Sequence, residues 1–161
     1  MINIIKENFS RAIYALIFSI ITIGTLSFLS FETPYGLFLA GSFGSSMVLL
    51  FGYPESPFAQ PKNVFFGHFI TSVVGVLILK FLPVDQFLQI AIAVGLGIFL
   101  MILLGVTHPP AGGNPIVIIL GVVSYDFLLN PIIFGSIIII VYAIILNRFI
   151  LKKNYPSGWK S

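Results

Sequence analysis

The chain has 161 residues, 58% hydrophobic and 8% charged, with a formal net charge of +3. An ordinary soluble domain carries about 25% charged residues, so the composition excludes a soluble monomer and a disordered chain. The positive charges sit at the ends of apolar runs and never gather into a basic face, which excludes a nucleic-acid-binding module. Cysteine is absent, which removes disulfides, thiolate metal sites and cysteine nucleophiles. What remains is a single integral membrane domain over residues 1–161 with a mean hydropathy of +1.09.

In chain order, four stretches are long enough to cross a hydrocarbon core, which needs about 20 mostly apolar residues. They are 12–31, 64–82, 87–106 and 131–151. The first exceeds a signal-peptide h-region of about 7–15 residues, and Glu32-Thr33-Pro34-Tyr35 after it offers no small-residue cleavage site. It is expected to be a retained span. Two apolar stretches, 36–51 and 116–123, are shorter and rich in Gly, Pro and small residues. The second would be only about 12 Å long as a helix.

The order long, short, long occurs twice, and both short segments are entered through proline: Thr33-Pro34-Tyr35-Gly36 and His108-Pro109-Pro110-Ala111. The third segments also open alike, with Asn63-Val64-Phe65-Phe66-Gly67 against Asn130-Pro131-Ile132-Ile133-Phe134-Gly135. The expected fold is an all-α, polytopic transmembrane helical bundle with a weak two-fold internal repeat, its halves at about 12–82 and 87–151. Paired Gly/Pro-interrupted segments in matching positions point to a transporter's binding site.

Both ends are basic, with Lys6 and Arg11 at one and Arg148, Lys152, Lys153 and Lys160 at the other. Both termini are therefore expected in the cytoplasm, in a cell membrane, with an even number of crossings. Six crossings make the repeat inverted and four make it parallel. Charge does not choose between them, and the preferred reading is six, with the last short segment broken.

Thr107-His108-Pro109-Pro110-Ala111-Gly112-Gly113-Asn114-Pro115 is the richest stretch for chemistry. Its prolines stop the preceding helix, and Gly112 and Gly113 allow close backbone approach. Asn114 is expected to be the N-cap of the next helix with Pro115 at its first position, aiming free N–H groups and a positive dipole end at the break. In the third segment, His68, Thr71, Ser72 and Gly75 share one helical face. An intramembrane ionisable residue is a functional candidate by default. Ser42, Ser45 and Ser46 are possible hydroxyl donors. Lys62 and Asn63 stand at a possible pore mouth, where a cation concentrates anions. Gly36, Ala40 and Gly44, and likewise Gly95, Gly97 and Gly105, suggest close helix packing. Lys80 is expected to snorkel, and Tyr155 and Trp159 to act as interface anchors.

His108-Pro109-Pro110 resembles the signature of the HPP family of integral membrane proteins, some of whose members look like nitrite transporters. The resemblance extends over Gly41-Ser42-Phe43-Gly44-Ser45-Ser46, the loop Pro54-Glu55-Ser56-Pro57-Phe58-Ala59-Gln60-Pro61-Lys62-Asn63, and Gly67-His68. It closes with Asn147-Arg148 and Tyr155-Pro156-Ser157-Gly158-Trp159. After HPP the family usually has Gly-Gly-Ala, whereas this chain has Ala111-Gly112-Gly113 and then Asn114. The resemblance implies transport, with nitrite the favoured solute.

The residues alone point the same way. Glu32, Glu55, Asp85 and Asp126 fall at span ends and Glu7 precedes the first span. A cation pathway or proton pump usually places a carboxylate within the membrane. The residues favour an anion or a neutral solute; with the resemblance, the expected function is a permease or channel for a small anion, held by backbone N–H groups around Ala111, Gly112, Gly113 and Asn114. Hydroxyls of Ser42, Ser45 and Thr71 add donors, and His68 or His108 a pH-sensitive one. No metal, cofactor or enzymatic motif is expected. The expected partners are lipid, the anion and further copies of the chain. The rival reading is a scaffold that packs a partner protein through small-residue helix faces.

Overall fold

The computed structural model describes residues 2–157, which form helices and loops. Trp159 and Lys160 lie outside the described residues. The first helix, α1, spans Ile2–Phe31; it begins ten residues before the expected span, and residues 3–11 of that extension are exposed. α2 spans Gly41–Met47 and continues as a π-helical turn, Val48–Gly52. α3 spans Pro61–Phe81, with proline at its first position, where a missing N–H costs nothing. α4 spans Gln86–Leu103. A 3₁₀ turn, Pro109–Gly113, leads into α5, Asn114–Leu120. α6 spans Phe134–Ile144, between π-helical turns Leu128–Ile133 and Ile145–Ile150.

Four helical runs have the length and apolarity to cross a membrane: Asn3–Phe31, Pro61–Phe81, Gln86–Leu103 and Leu128–Ile150. The two short segments nevertheless run from one end of the bundle to the other. The Ser30 hydroxyl accepts from the N–H groups of Phe38 and Leu39, and the Arg11 guanidinium lies 5.3 Å from the Tyr53 ring centre. Residues 38–53 thus retrace α1 from Ser30 to Arg11, roughly 28 Å at helical rise. Extended backbone before Gly41 supplies the reach that a 12-residue helix lacks. In the second half, Asn63 donates to the Thr107 carbonyl at 2.9 Å, and the Lys80 ammonium lies 5.9 Å from the Tyr125 ring centre. Residues 107–125 therefore follow α3 from Asn63 to Lys80, about 25 Å. The described residues make six transits of the bundle.

Asn147 at the end of α6 donates to Leu50 O at 2.9 Å, and Tyr155 to Ala59 O at 2.8 Å. Residues 11, 53, 63, 107, 147 and 155 thus gather at one end, with the basic residues Arg11, Lys62, Arg148, Lys152 and Lys153 close by. The opposite end joins Tyr35 to Asn130 and holds Lys80. Tyr155 is not an interface anchor. It is 1% exposed, and burial raises its phenol above the usual tyrosine range, keeping the O–H as a donor.

Two apolar cores flank α3. The larger joins α1, α2 and α6 through Phe18, Leu26, Phe43, Leu50, Phe51 and Ile139. The smaller joins α3, α4 and α5 through Val74, Ala93 and Ile119. In lipid, apolar contact between helices brings little hydrophobic gain, so close approach and interhelical hydrogen bonds decide the packing. Glycine supplies that approach at Gly97, where an added Cβ would lie 3.3 Å from Thr71 Cγ2. The other glycines expected to pack differ: Gly36 (φ +98) precedes α2, and Gly44 and Gly95 face open space. Gly105 (φ +62) ends α4 in a Schellman cap, with Val106 N–H to Met101 O at 2.9 Å and Gly105 N–H to Ile102 O at 3.1 Å.

Candidate functional site

Seven polar side chains converge where α2, α3 and the 108–114 stretch meet: Ser42, Ser46, His68, Thr71, Ser72, His108 and Asn114. All are buried, and His68 and His108 are 0% exposed. Local sequence accounts for the convergence. Ser42 and Ser46 stand one helical turn apart and share the inner face of α2, whereas Ser45 is exposed. His68, Thr71 and Ser72 form the small polar stripe of α3. Two glycines let the rest close on that stripe. A Cβ on Gly67 would lie 2.7 Å from His108 Cβ, and one on Gly75 would lie 3.0 Å from Pro115 Cα.

The hydrogen bonds fix the tautomers of both imidazoles. His108 Nδ1 lies 2.8 Å from Phe58 O, and a carbonyl only accepts, so Nδ1 carries the hydrogen and, in the neutral ring, Nε2 is bare. The Ser46 hydroxyl lies 2.8 Å from that Nε2 and 3.1 Å from the Ser42 carbonyl, and its single hydrogen is assigned to the shorter contact, Nε2. His68 Nδ1 lies 3.1 Å from Asn114 Nδ2, an amide donor, so Nδ1 is bare and Nε2 carries the hydrogen. That Nε2–H donates to Ser46 Oγ at 3.0 Å. A one-directional chain results: Asn114 to His68, His68 to Ser46, Ser46 to His108, and His108 to the Phe58 carbonyl. The two rings stand 4.9 Å apart, and the Phe43 ring meets His68 edge-on at 5.0 Å.

Asn114 also approaches His68 O at 3.2 Å, Thr71 Oγ1 at 3.3 Å and Ser72 Oγ at 3.0 Å. Two amide hydrogens are thus shared among four acceptors. Asn114 is the first residue of α5 and no N-cap: its side chain turns across to α3. Of the expected backbone donors, Ala111 N–H is engaged with His108 O at 3.0 Å and Asn114 N–H with Ala111 O. Pro109 and Pro110 have no N–H to offer. A Cβ on Gly112 or Gly113 would meet nothing within 4 Å, so neither glycine serves a close packing contact.

Of the expected site residues, Ser42, His68, Thr71, His108 and Asn114 come together, and Pro109 to Gly113 form the turn from which His108 and Asn114 hang. Ser45 faces away, Lys62 is exposed at the bundle end, and Asn63 holds the Thr107 carbonyl. Ser46 is the central bridge, and its spacing from Ser42 was the available signal. The part played by Phe58 O has no sequence signal, because it belongs to the backbone. Two outer grooves, about 330 Å³ between α3 and α4 and about 630 Å³ between α1 and α2, share no lining residue with the cluster. Among the described residues no three His, Asp or Glu side chains gather as metal ligands.

Spanning helices around a buried, carboxylate-free polar centre define a polytopic α-helical membrane protein. Residues 5–156 match the family described as HPP, transmembrane region, and the chain belongs to that family. It is 38% identical over 128 residues to a transmembrane protein of Dictyostelium discoideum, covering 75% of this chain and 45% of that protein. A second Dictyostelium transmembrane protein is 34% identical over 130 residues, covering 76% of this chain and 42% of its own length. The chain thus spans less than half the length of these curated relatives. No solved structure matches it.

Proposed function

We propose that this protein is a membrane permease or channel for a small inorganic anion, and that it is not an enzyme. Nitrite is the favoured solute through the family resemblance. One observation carries the reading: seven buried side chains rich in O–H and N–H donors meet where both broken segments cross α3, with no carboxylate among them. Anions are met by such donors, and the weak fields of neutral groups suit a passing site. An entering anion takes over the hydroxyl, amide and imidazole hydrogens that now satisfy one another.

The chain directions support an inverted repeat. Residues 12–82 make three alternating transits and 87–151 make three of opposite sense. The basic end that holds Arg11, Arg148 and Lys153 is the cytoplasmic end of a cell-membrane protein by the positive-inside rule. Exposed Gly41, Gly44 and Ser45 on α2 support a homo-oligomer, since small residues let helices approach closely. A scaffold reading draws on the same exposed face and on the mutual hydrogen bonding of the cluster.

Nitrite uptake into proteoliposomes, with and without a pH gradient, separates the two. Saturable uptake that Asn114→Leu abolishes is the expected result. Uptake no greater than that of empty vesicles for nitrite, nitrate, formate and chloride would overturn the anion reading in favour of the scaffold.

A further inference from the structure

We propose that His68, Ser46 and His108 form a single binding site for one excess proton, taken up together with the anion. The site rests on hydrogen-bond geometry, and its coupling to the anion rests on the transport reading above. In the resting chain each imidazole is neutral and the two hold opposite tautomers. Ser46 Oγ lies within 3.0 Å of one Nε2 and 2.8 Å of the other. A proton arriving at His68 Nδ1 makes that ring an imidazolium, and Asn114 turns its amide over so that Oδ1 accepts the new N–H.

The charge then moves without displacement of any heavy atom of the bridge. The Nε2–H bond of His68 breaks as an O–H bond forms on Ser46. The former Ser46 O–H breaks as an N–H bond forms on His108 Nε2. His68 keeps its Nδ1–H, His108 keeps Nδ1–H on Phe58 O, and Ser46 finishes as donor to His68. Atoms and charge balance, and the proton is shared by two rings through one hydroxyl.

One proton is the capacity. Two imidazolium rings 4.9 Å apart and 0% exposed repel with nothing to offset them. α2, α4, α5 and the 109–113 turn carry no charged residue. The other elements packed around the cluster hold their charges at the bundle ends: Lys62 and Lys80 on α3, Glu55 before the 57–59 turn and Arg148 after α6, all exposed. Tyr142 on α6 is bonded to Thr25 instead. A buried charge needs a partner, and the partner this site admits is the anion itself.

The chain has two histidines in all, so ring-¹⁵N resonances from histidine-labelled protein in lipid bilayers, purified without a histidine tag, assign directly through His68→Gln and His108→Gln. At high pH without anion, the expected spectrum shows His108 as Nδ1–H and His68 as Nε2–H. Identical tautomers would overturn the proposal. With nitrite present and pH lowered, both rings are expected to shift together with an uptake of one proton per chain. Two protons, or none, would overturn it. Ser46→Ala is expected to confine the shift to one ring and to cut pH-driven nitrite uptake by about tenfold or more; two rings still titrating together in that variant would overturn it. Nitrite uptake with no proton bound overturns the proton site and leaves the anion reading standing. A shared proton with no uptake of any anion does the reverse.

Discussion

The two short segments begin from the same problem and solve it differently. Each has too few residues to traverse the bundle as a plain helix, and each brings polar side chains to α3. The first gains length from the non-helical stretch 36–40, extended at Ala40, and then presents Ser42 and Ser46 from a helix face. The second gains it from the turn at 109–113 and presents His108 and Asn114 from either side of that turn. The first therefore contributes a bridge set by helical periodicity, and the second contributes two groups whose aim depends on how the turn is held. Packing is unequal as well. α2 gives Phe43 and Met47 to the larger core beside residues of α1 and α6, whereas α5 lies along α3 and α4 and gives Ile119 to the small one.

Glycine contacts offer the strongest way to break that comparison. A Cβ on Gly135 would collide with the Phe43 ring and the Phe38 carbonyl, and the latter is backbone. Gly135→Ala is expected to cost roughly 3 kcal/mol or more, at the upper end of overpacking penalties, and to give the largest fall in thermal midpoint in detergent. Gly75→Ala, with Pro115 Cα at 3.0 Å and Ile118 at 3.2 Å, is expected to cost about 1–3 kcal/mol and to push α5 off α3. Thermal unfolding of the purified variants ranks them. A Gly75→Ala protein less stable than Gly135→Ala would mean that α5, not α2, is the firmly clamped segment.

Neighbouring serines sharpen the comparison at smaller cost. Ser46→Ala leaves two imidazole Nε2 atoms without their shared partner and is expected to destabilise by about 1–2 kcal/mol, the upper range for interhelical hydrogen bonds in membranes. Nitrite uptake is expected to fall with it. Ser45→Ala removes an exposed hydroxyl from the opposite side of the same turn and should stay within about 0.5 kcal/mol of the parent. Equal losses of uptake in the two variants would show that α2 does not act through its inner face.

Much of the architecture was legible from composition and length. The four long runs, the broken short segments and the polar stripe of α3 follow from apolar length, proline and i, i+3, i+4 spacing. What the sequence hid was depth and direction. Whether 36–51 crosses depends on extended backbone held by the Ser30 hydroxyl, a contact between residues eight and nine apart across a turn. Which serine faces inward depends on helix phase, and phase follows from where α2 starts, at Gly41 and not Gly36. The role of Asn114 was misread for a related reason. An Asn before proline reads as a cap, yet α5 is entered from the 3₁₀ turn with Gly113 in the cap position and Asn114 already helical. The amide nitrogen of Asn114 reaches the hydroxyls and imidazole of α3 instead.

The smallest effect tests how the return segments are closed off. α4 ends with Gly105 at φ +62, while α5 ends with Val122 at φ +46, one residue past Gly121. A β-branched residue in the left-handed region costs about 1–2 kcal/mol, and the hydrogen bond from Val123 N–H to Ile118 O at 3.3 Å demands that conformation. Val122 is 67% exposed, so replacing it removes little packing. Val122→Gly relieves the strain but gives the unfolded chain more freedom, an opposing term of about 0.4–1 kcal/mol. The net expectation is a gain of up to about 1 kcal/mol, read as a modest rise in thermal midpoint with uptake unchanged. A fall in stability would mean that the Val122 side chain is covered in the assembled protein, which would locate a contact at the end of α5 opposite the basic termini.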